Sequence, residues 1–319
     1  MPNLNVTVLG SRGYSRTLGK KGTESDVTFY NLKSGENTVT MIEPTRYPEK
    51  LAPLFYSASF GDIAVMVVER LDAAFGESVL MLTCAGVERG FVVLRNYITP
   101  EQIDRFDRGT VLEGYEVVDD DPVWLRRRLL EEAVVASSPS DSATATVVVD
   151  HSFNVRGIGT VVLGVVKSGA VSRHDNLLAL PGGKTAQVRS IQKHDDDFES
   201  ASAGDRVGIA LKNVDVEDVP RGTVLTDDGS MRISSGFKGT AEVLPYHANP
   251  LRESMVLHLG HWMQFVPARL EAIRGNGDRS SPSLTLSLDK PLVHPPGSMA
   301  VVTHLDGGNL RVVGTVGLP

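Results

Sequence analysis

The chain carries a single cysteine, Cys84, among 319 residues. No disulfide can form within it, which fits a reducing compartment and excludes the disulfide-stapled secreted class. Long apolar runs are missing as well: none approaches the roughly 18 residues of a membrane-spanning helix. The N-terminus, MPNLNVTVLG, has neither the basic region nor the extended apolar core of a secretory leader. A cytoplasmic location with no membrane partner is expected. Positive charge is not in excess: 32 lysines and arginines face 39 aspartates and glutamates, for a net charge of −7. Bulk attraction to a polyanion is excluded, so any nucleic-acid contact must be a local patch. Aromatics make up only 6% of the chain, whereas glycine occurs 31 times. That balance suits many short strands joined by tight turns.

Catalytic and metal patterns are also lacking. No two histidines have zinc spacing with a third ligand. His258, His261 and Trp262 sit in an apolar strand context that reads as core or barrel rim. The acidic run His194-Asp195-Asp196-Asp197 has no glycine-spaced calcium pattern. Neither a Ser-His-Asp arrangement nor a pair of carboxylates stands out. No catalytic residue and no metal ligand is assigned, and enzymatic activity is not expected.

What is present divides into two patterns. Residues 1–136 alternate between strand-like and helix-like segments, the mark of an open α/β sheet. Val27–Leu32 and Val39–Ile42 flank a hairpin turn at Ser34-Gly35-Glu36-Asn37, and Ile63–Val68 and Phe91–Leu94 read as buried parallel strands. Helices are expected at Glu49–Ser59, at Glu77–Ala85 with Gly86 as its cap, after Pro100, and at Pro122–Ala136. In the last of these, Val123, Trp124, Leu129, Leu130, Ala133 and Val134 form the expected apolar stripe, leaving Arg126-Arg127-Arg128 to water. The polar run Ser137–Ser142 marks a linker. Beyond it, strand-like segments of a few residues recur between Gly, Pro, Asp and Asn, which indicates β-barrels or sandwiches over 143–229 and 236–319.

One loop has the spacing of a phosphate-binding motif. Gly10-Ser11-Arg12-Gly13-Tyr14-Ser15-Arg16-Thr17 follows the strand-like run Leu4–Leu9. The motif G-x-x-x-x-G-K-[ST] uses its second Gly for backbone curvature and its Lys to reach the phosphates. Here Gly10 and Thr17 fit, while Ser15 and Arg16 replace that Gly and Lys.

The segment Val149-Asp150-His151-Ser152-Phe153-Asn154-Val155-Arg156-Gly157-Ile158-Gly159-Thr160 is similar to the opening hairpin of the first barrel in translational GTPases of the elongation factor Tu type. Ser168-Gly169, Val188–Gln192, Ala203–Gly208 and Arg221-Gly222 follow in that family's order. Within the family the chain resembles the selenocysteine-specific elongation factor in particular. The resemblance implies a P-loop GTPase-like α/β domain followed by two β-barrels, and it implies that the first domain is degenerate. The helix after the phosphate loop is cut to Leu18–Gly22, and the switch threonine falls near Thr23 or Glu24. The D-x-P-G-H motif falls at Glu43-Pro44-Thr45-Arg46-Tyr47, where Glu43 keeps the charge but Arg46 and Tyr47 replace the Gly and His. The guanine-reading N-K-x-D falls at Arg95-Asn96-Tyr97-Ile98, and Ile98 can accept no hydrogen bond. The last motif falls at Asp119-Asp120-Asp121. Each unpaired polar group facing a ligand costs about 1–3 kcal/mol, so loss of GTP and Mg²⁺ binding is expected. The loop Gly10, Ser15, Arg16 and Thr17 is then a vestige.

By the same resemblance Asp150, His151 and Arg206 match the trio lining the selenocysteinyl pocket. A cationic pocket of His151 and Arg206, oriented by Asp150, would favour a selenolate. The residues alone equally allow a turn-forming Asp150 and a surface ion pair at Arg206. Asp195 stands where elongation factor Tu has an Arg near the terminal adenosine of tRNA, which counts against ordinary aminoacyl-tRNA binding. The chain ends at Pro319, without the C-terminal extension of the selenocysteine-specific factor, so coupling to a recoding signal is not expected. The leading expectation is a non-hydrolysing paralogue of that factor, binding aminoacyl-tRNA or another structured RNA, with the ribosome or translation proteins as further partners. A protein-interaction scaffold without RNA is the alternative, and a divergent active GTPase the second.

Overall fold

The computed structural model describes residues 3–136, 142–247, 249–275 and 280–319. The first domain runs β1 (Asn3–Leu9), β2 (Lys20–Glu24), β3 (Thr28–Ser34), β4 (Asn37–Glu43), α1 (Ala52–Phe60), β5 (Ile63–Val68), α2 (Ala73–Ala85), β6 (Gly90–Leu94), α3 (Pro100–Asp107), β7 (Tyr115–Val118) and α4 (Pro122–Ala136). Its seven strands are ordered β2-β3-β4-β1-β5-β6-β7. The five from β4 to β7 are parallel, and β2 and β3 add an antiparallel hairpin edge. Every residue of β5 is buried, because helices cover both faces of the parallel strands. Alternate residues serve the two layers: Ala64, Met66 and Val68 pack under α1 and α2, while Ile63, Val65 and Val67 meet α4.

Helix α1 begins at Ala52, three residues after the expected Glu49, with Pro53 in its first turn, and two further helices differ from the sequence reading. α2 begins a turn before Glu77, because the Asp72 side chain accepts the Phe75 N–H at 3.0 Å and caps it. Gly76 inside that first turn masks the start. In α4 the buried seam is Leu125, Leu129 and Ala133, while Val123 and Val134 are 75% and 54% exposed. The i, i+4, i+8 row sets the seam and turns the two valines away from it. The Ser137–Ser142 linker falls largely outside the described residues.

The first barrel contains β8 (Thr146–Val155), β9 (Gly159–Ser168), β10 (Ala170–Ser172), β11 (Asn176–Leu180), β12 (Lys184–Lys193), β13 (Asp196–Phe198), β14 (Ser200–Ser202), β15 (Arg206–Lys212) and β16 (Val224–Thr226). The ring β11-β16-β8-β9-β15-β12 closes through the β11–β12 pairing. Gly157 and Gly159, at φ 83° and 98°, make the β8–β9 turn, a backbone region that excludes most other residues. The second barrel is β17 (Arg232–Val243), β18 (Val256–His261), β19 (Gln264–Arg274), β20 (Ser283–His294), β21 (Met299–Thr303) and β22 (Val312–Gly317), closed in the order β17-β20-β19-β18-β21-β22. An α/β domain followed by two β-barrels is therefore the observed architecture, as expected.

The three domains are fastened to one another by close packing and charge. A Cβ on Gly260 of β18 would fall 2.4 Å from the Phe55 ring of α1, so only glycine permits that approach. Arg311 donates its backbone N–H and its Nε–H to Glu77 Oε1 at 2.7 and 3.0 Å, and its Nη2–H to Oε2 at 2.6 Å. Arg221 of the first barrel pairs with Asp26 at 2.8 Å and stacks on Tyr56. Asn3 and Asn5 donate to the Gly204 carbonyl at 2.9 and 3.0 Å.

Candidate functional site

In an open α/β sheet, ligands gather outside the carboxyl ends of the parallel strands. The motif loops identified from sequence meet there. Gly10 follows β1, Glu43 ends β4, Glu69 follows β5, Arg95 follows β6 and Asp120 follows β7. Gly10 has φ 91°, and a Cβ on it would lie 2.0 Å from the Val67 carbonyl oxygen, so the loop requires glycine at this crossing.

The loop does not lead into a long helix. Tyr14–Thr17 forms one 3₁₀ turn, and the chain enters β2 at Lys20. The Glu43 carboxylate fills the loop's concavity: Gly13 N–H donates to Oε2 at 2.7 Å and Ser15 N–H to Oε1 at 2.6 Å. Both Glu43 and Ser15 are buried. Charge-assisted bonds of this length are strong, and a phosphate would compete for the same amides. Among the described residues Ser15 Oγ has no hydrogen-bond partner. The Thr17 hydroxyl donates to the Tyr14 carbonyl at 2.7 Å, within the turn. Arg16 is exposed.

The base side is filled by a second network that sequence reasoning missed. The buried Tyr14 phenol donates to Asp120 Oδ1 at 3.0 Å. Burial, then the bond to Asp120, raises its pKa above the usual phenol range. Arg95 lies over the Tyr14 ring at 5.0 Å and donates to Asp120 at 2.8 Å and Glu69 at 3.1 Å. Ser11 Oγ donates to the same Glu69 oxygen at 2.8 Å. Ile98 packs against the apolar layer instead of facing a ligand. The one sequence signal for this network was charge: an Arg at the Asn position of one motif and an Asp run at another. Tyr47, at the His position, donates to the Ala74 carbonyl at 2.9 Å, and the Arg311 guanidinium lies over its ring.

Asp150, His151 and Arg206 are brought together at the junction of the first domain and the first barrel. Arg206 Nη2 donates to both Asp150 oxygens at 2.9 and 3.2 Å. His151 Nδ1 lies 2.6 Å from Asp150 Oδ1, and its Nε2 lies 3.0 Å from Ser25 Oγ. Asp150 is 1% exposed. Burial opposes its ionisation, but the Arg206 charge and His151 outweigh that and hold its carboxyl below the usual range. The Arg206 guanidinium carbon lies over the Phe29 ring, 3.7 Å from its centroid. The trio is thus internally compensated. Of the three, only Arg206 lines the large cleft of about 750 Å³ between β2–β3 and the first barrel. Asp195 lines that cleft too, in a tight turn where His194 and Asp195 both have positive φ.

Comparison with known proteins agrees with this architecture. The family model for elongation factor Tu domain 2 matches residues 159–226. An uncharacterized protein of Methanocaldococcus jannaschii is 31% identical over 316 residues, covering 98% of this chain and 99% of its own. The selenocysteine-specific elongation factor of the same organism is 37% identical over 123 residues, which are 38% of this chain and 26% of that one. The crystal structure of the Methanococcus maripaludis elongation factor SelB with a GTP analogue superposes with a TM-score of 0.80 at 22% identity, over 99% of this chain and 79% of that one. The chain belongs to the translational GTPase superfamily, as a relative of the selenocysteine-specific and 1-alpha elongation factors.

Proposed function

We propose that this protein binds tRNA or another structured RNA as a fixed, translation-linked scaffold, and that it neither binds nor hydrolyses GTP. The observation that carries the reading is the Glu43 carboxylate seated on the Gly13 and Ser15 amides. A nucleotide would have to expel a covalently tethered anion from its phosphate seat. It would also have to break the Tyr14–Asp120–Arg95–Glu69 network on the base side. Without Lys in the loop, and with the Thr17 hydroxyl turned onto the Tyr14 carbonyl, neither the phosphates nor Mg²⁺ would find their usual partners.

The Glu77–Arg311 and Asp26–Arg221 pairs support one constant domain arrangement. With no nucleotide to time delivery and release, holding or shielding an RNA fits the geometry better than elongation. Arg206 would form part of the wall facing the RNA end, with Asp150 and His151 fixing it from behind. Filter binding with tRNA, alongside calorimetry with GTP and GDP in Mg²⁺, tests the reading. Submicromolar to micromolar tRNA retention and no nucleotide heat are expected. Negligible retention of every RNA, or micromolar nucleotide binding, would overturn it.

A protein-binding scaffold is the second reading. It is favoured by an apolar groove of about 450 Å³ lined by Val79, Leu80, Phe106, Tyr246 and Leu310, between the first domain and the second barrel. Ribosome association that survives nuclease treatment would favour it.

A further inference from the structure

Two connections of the second barrel carry contacts with α2. Residues 304–311 join β21 to β22, and residues 244–255 join β17 to β18. Arg311 holds Glu77 by three bonds. Leu310 and Tyr246 line the apolar groove together with Val79 and Leu80 of α2, and Leu244 and Leu310 pack on the core of the first domain. The two connections also hold each other. Leu244 N–H donates to the Val313 carbonyl at 2.8 Å, and Asn249 Nδ2 donates to the Gly307 carbonyl at 3.4 Å. His304 N–H donates to the Arg311 carbonyl at 2.8 Å, so its backbone fixes the residue that meets Glu77.

An imidazole pair sits between these connections. The His247 and His304 rings meet edge-on, with centroids 6.4 Å apart. Both ring nitrogens of His247 and Nδ1 of His304 are buried and have no hydrogen-bond partner among the described residues. Folded interiors pair nearly all such groups, and apolar side chains of similar size would fill the space without stranding a nitrogen. Among the described residues no three metal-ligating side chains are grouped to hold an ion. A bare imidazole nitrogen can take a proton, and imidazole is the side chain that does so near neutral pH. Burial, then His304, lowers the pKa of His247, and the Asn249 backbone opposes this. Among the described residues no carboxylate offsets the charge His247 would gain. His258 on β18 differs: burial lowers its pKa and His304 adds to the shift, but Asp289 of β20 and Asp306 oppose it. Arg311 is paired with Glu77. A proton on His247 therefore sets a cation against a second imidazole, in a place with no acid to receive it.

We propose that the His247–His304 pair is a proton-operated hinge: protonation drives the two connections apart and frees the second barrel from α2, while the first barrel stays in place. The closed form keeps His247 neutral, whereas a freed connection protonates near its ordinary value of 6.5. The freed form then binds more protons, so the clamp is whole above that pH and loses ground as pH falls below it. One constant domain arrangement is thus the neutral-pH state. The hinge needs no RNA, and its failure would leave RNA binding standing.

The test uses the full chain without ligand. Amide hydrogen exchange, corrected for the intrinsic pH dependence of exchange, is followed by mass spectrometry from about pH 7.5 to about pH 5. It is measured for the wild type, for His247→Gln/His304→Gln and for the milder His247→Gln. A melting curve at neutral pH checks folding, and the single variant decides where the double variant does not fold. In the wild type, exchange in α2 and in residues 304–311 is expected to rise about tenfold as pH falls, with β8 and β9 changing less than about twofold. In the variants every segment is expected to stay within about twofold. His261 is present in all three proteins, so its acid effect cannot produce a rise that the variants lose. No local rise in the wild type, the full rise in the variants, or an equal rise across all three domains overturns the inference.

Discussion

Glu43 and Ser15 lie 28 positions apart, and the carboxylate of one accepts the backbone N–H of the other at 2.6 Å in a buried setting. Oε2 of the same carboxylate takes the Gly13 N–H. The loop is thus stabilised by an anion that belongs to the chain. Glu43→Ala leaves two loop amides without a partner and is expected to lower stability by about 3 kcal/mol. Urea titration checks this. A change within about 0.5 kcal/mol would show that the carboxylate does not hold the loop.

The Glu77–Arg311 pair joins α2 to the second barrel. Glu77 is buried and meets three donors of one residue. Arg311→Ala removes the guanidinium and its two bonds, leaves the buried carboxylate only the backbone N–H of residue 311, and is expected to cost about 3 kcal/mol. Amide hydrogen exchange should rise in α2 and around residues 304–311, with the interior of the first barrel unaffected. Uniform exchange across all three domains would contradict a local clamp.

How far these contacts were legible in the sequence differs between fold and site. Periodicity marked the parallel core well, because β5 is an uninterrupted apolar run that only a doubly covered strand can bury. The glycines of the β8–β9 turn were legible for a similar reason, since their positive φ admits few alternatives. The site was less legible. Motif comparison located the loops and registered what each had lost, but a substitution does not say what now fills the space. That Tyr14 would reach Asp120, or that Arg95 would bridge to Glu69, depends on contacts between distant segments. Likewise Asp150, His151 and Arg206 could be placed together by resemblance. Their mutual neutralisation became visible only once Ser25 and Phe29 of the first domain were seen against them.

His261 should supply part of the acid sensitivity, alongside His194, His247, His258 and His294, whose pKa values burial also lowers. It is 8% exposed, and burial moves its pKa from 6.5 down to about 4, with His294 and Lys167 adding to the shift against the bond to Met299. In the unfolded chain the imidazole protonates near its ordinary value, so the unfolded state binds more protons between these limits. The contribution is complete above pH 6.5 and is lost as pH falls toward 4. It amounts to about 3 kcal/mol. His261→Asn should flatten the melting temperature against pH over this window. An unchanged pH profile in the variant would assign the acid sensitivity elsewhere.

Nucleotide content is the most direct measure of the central claim. Purified protein, passed through gel filtration and then titrated with GTP and GDP in Mg²⁺ by calorimetry, should carry no guanine nucleotide and give no binding heat at micromolar concentrations. Co-elution of one nucleotide per chain, or a micromolar dissociation constant for either nucleotide, would contradict the account: Glu43 would then be a displaceable placeholder and the domain a working switch.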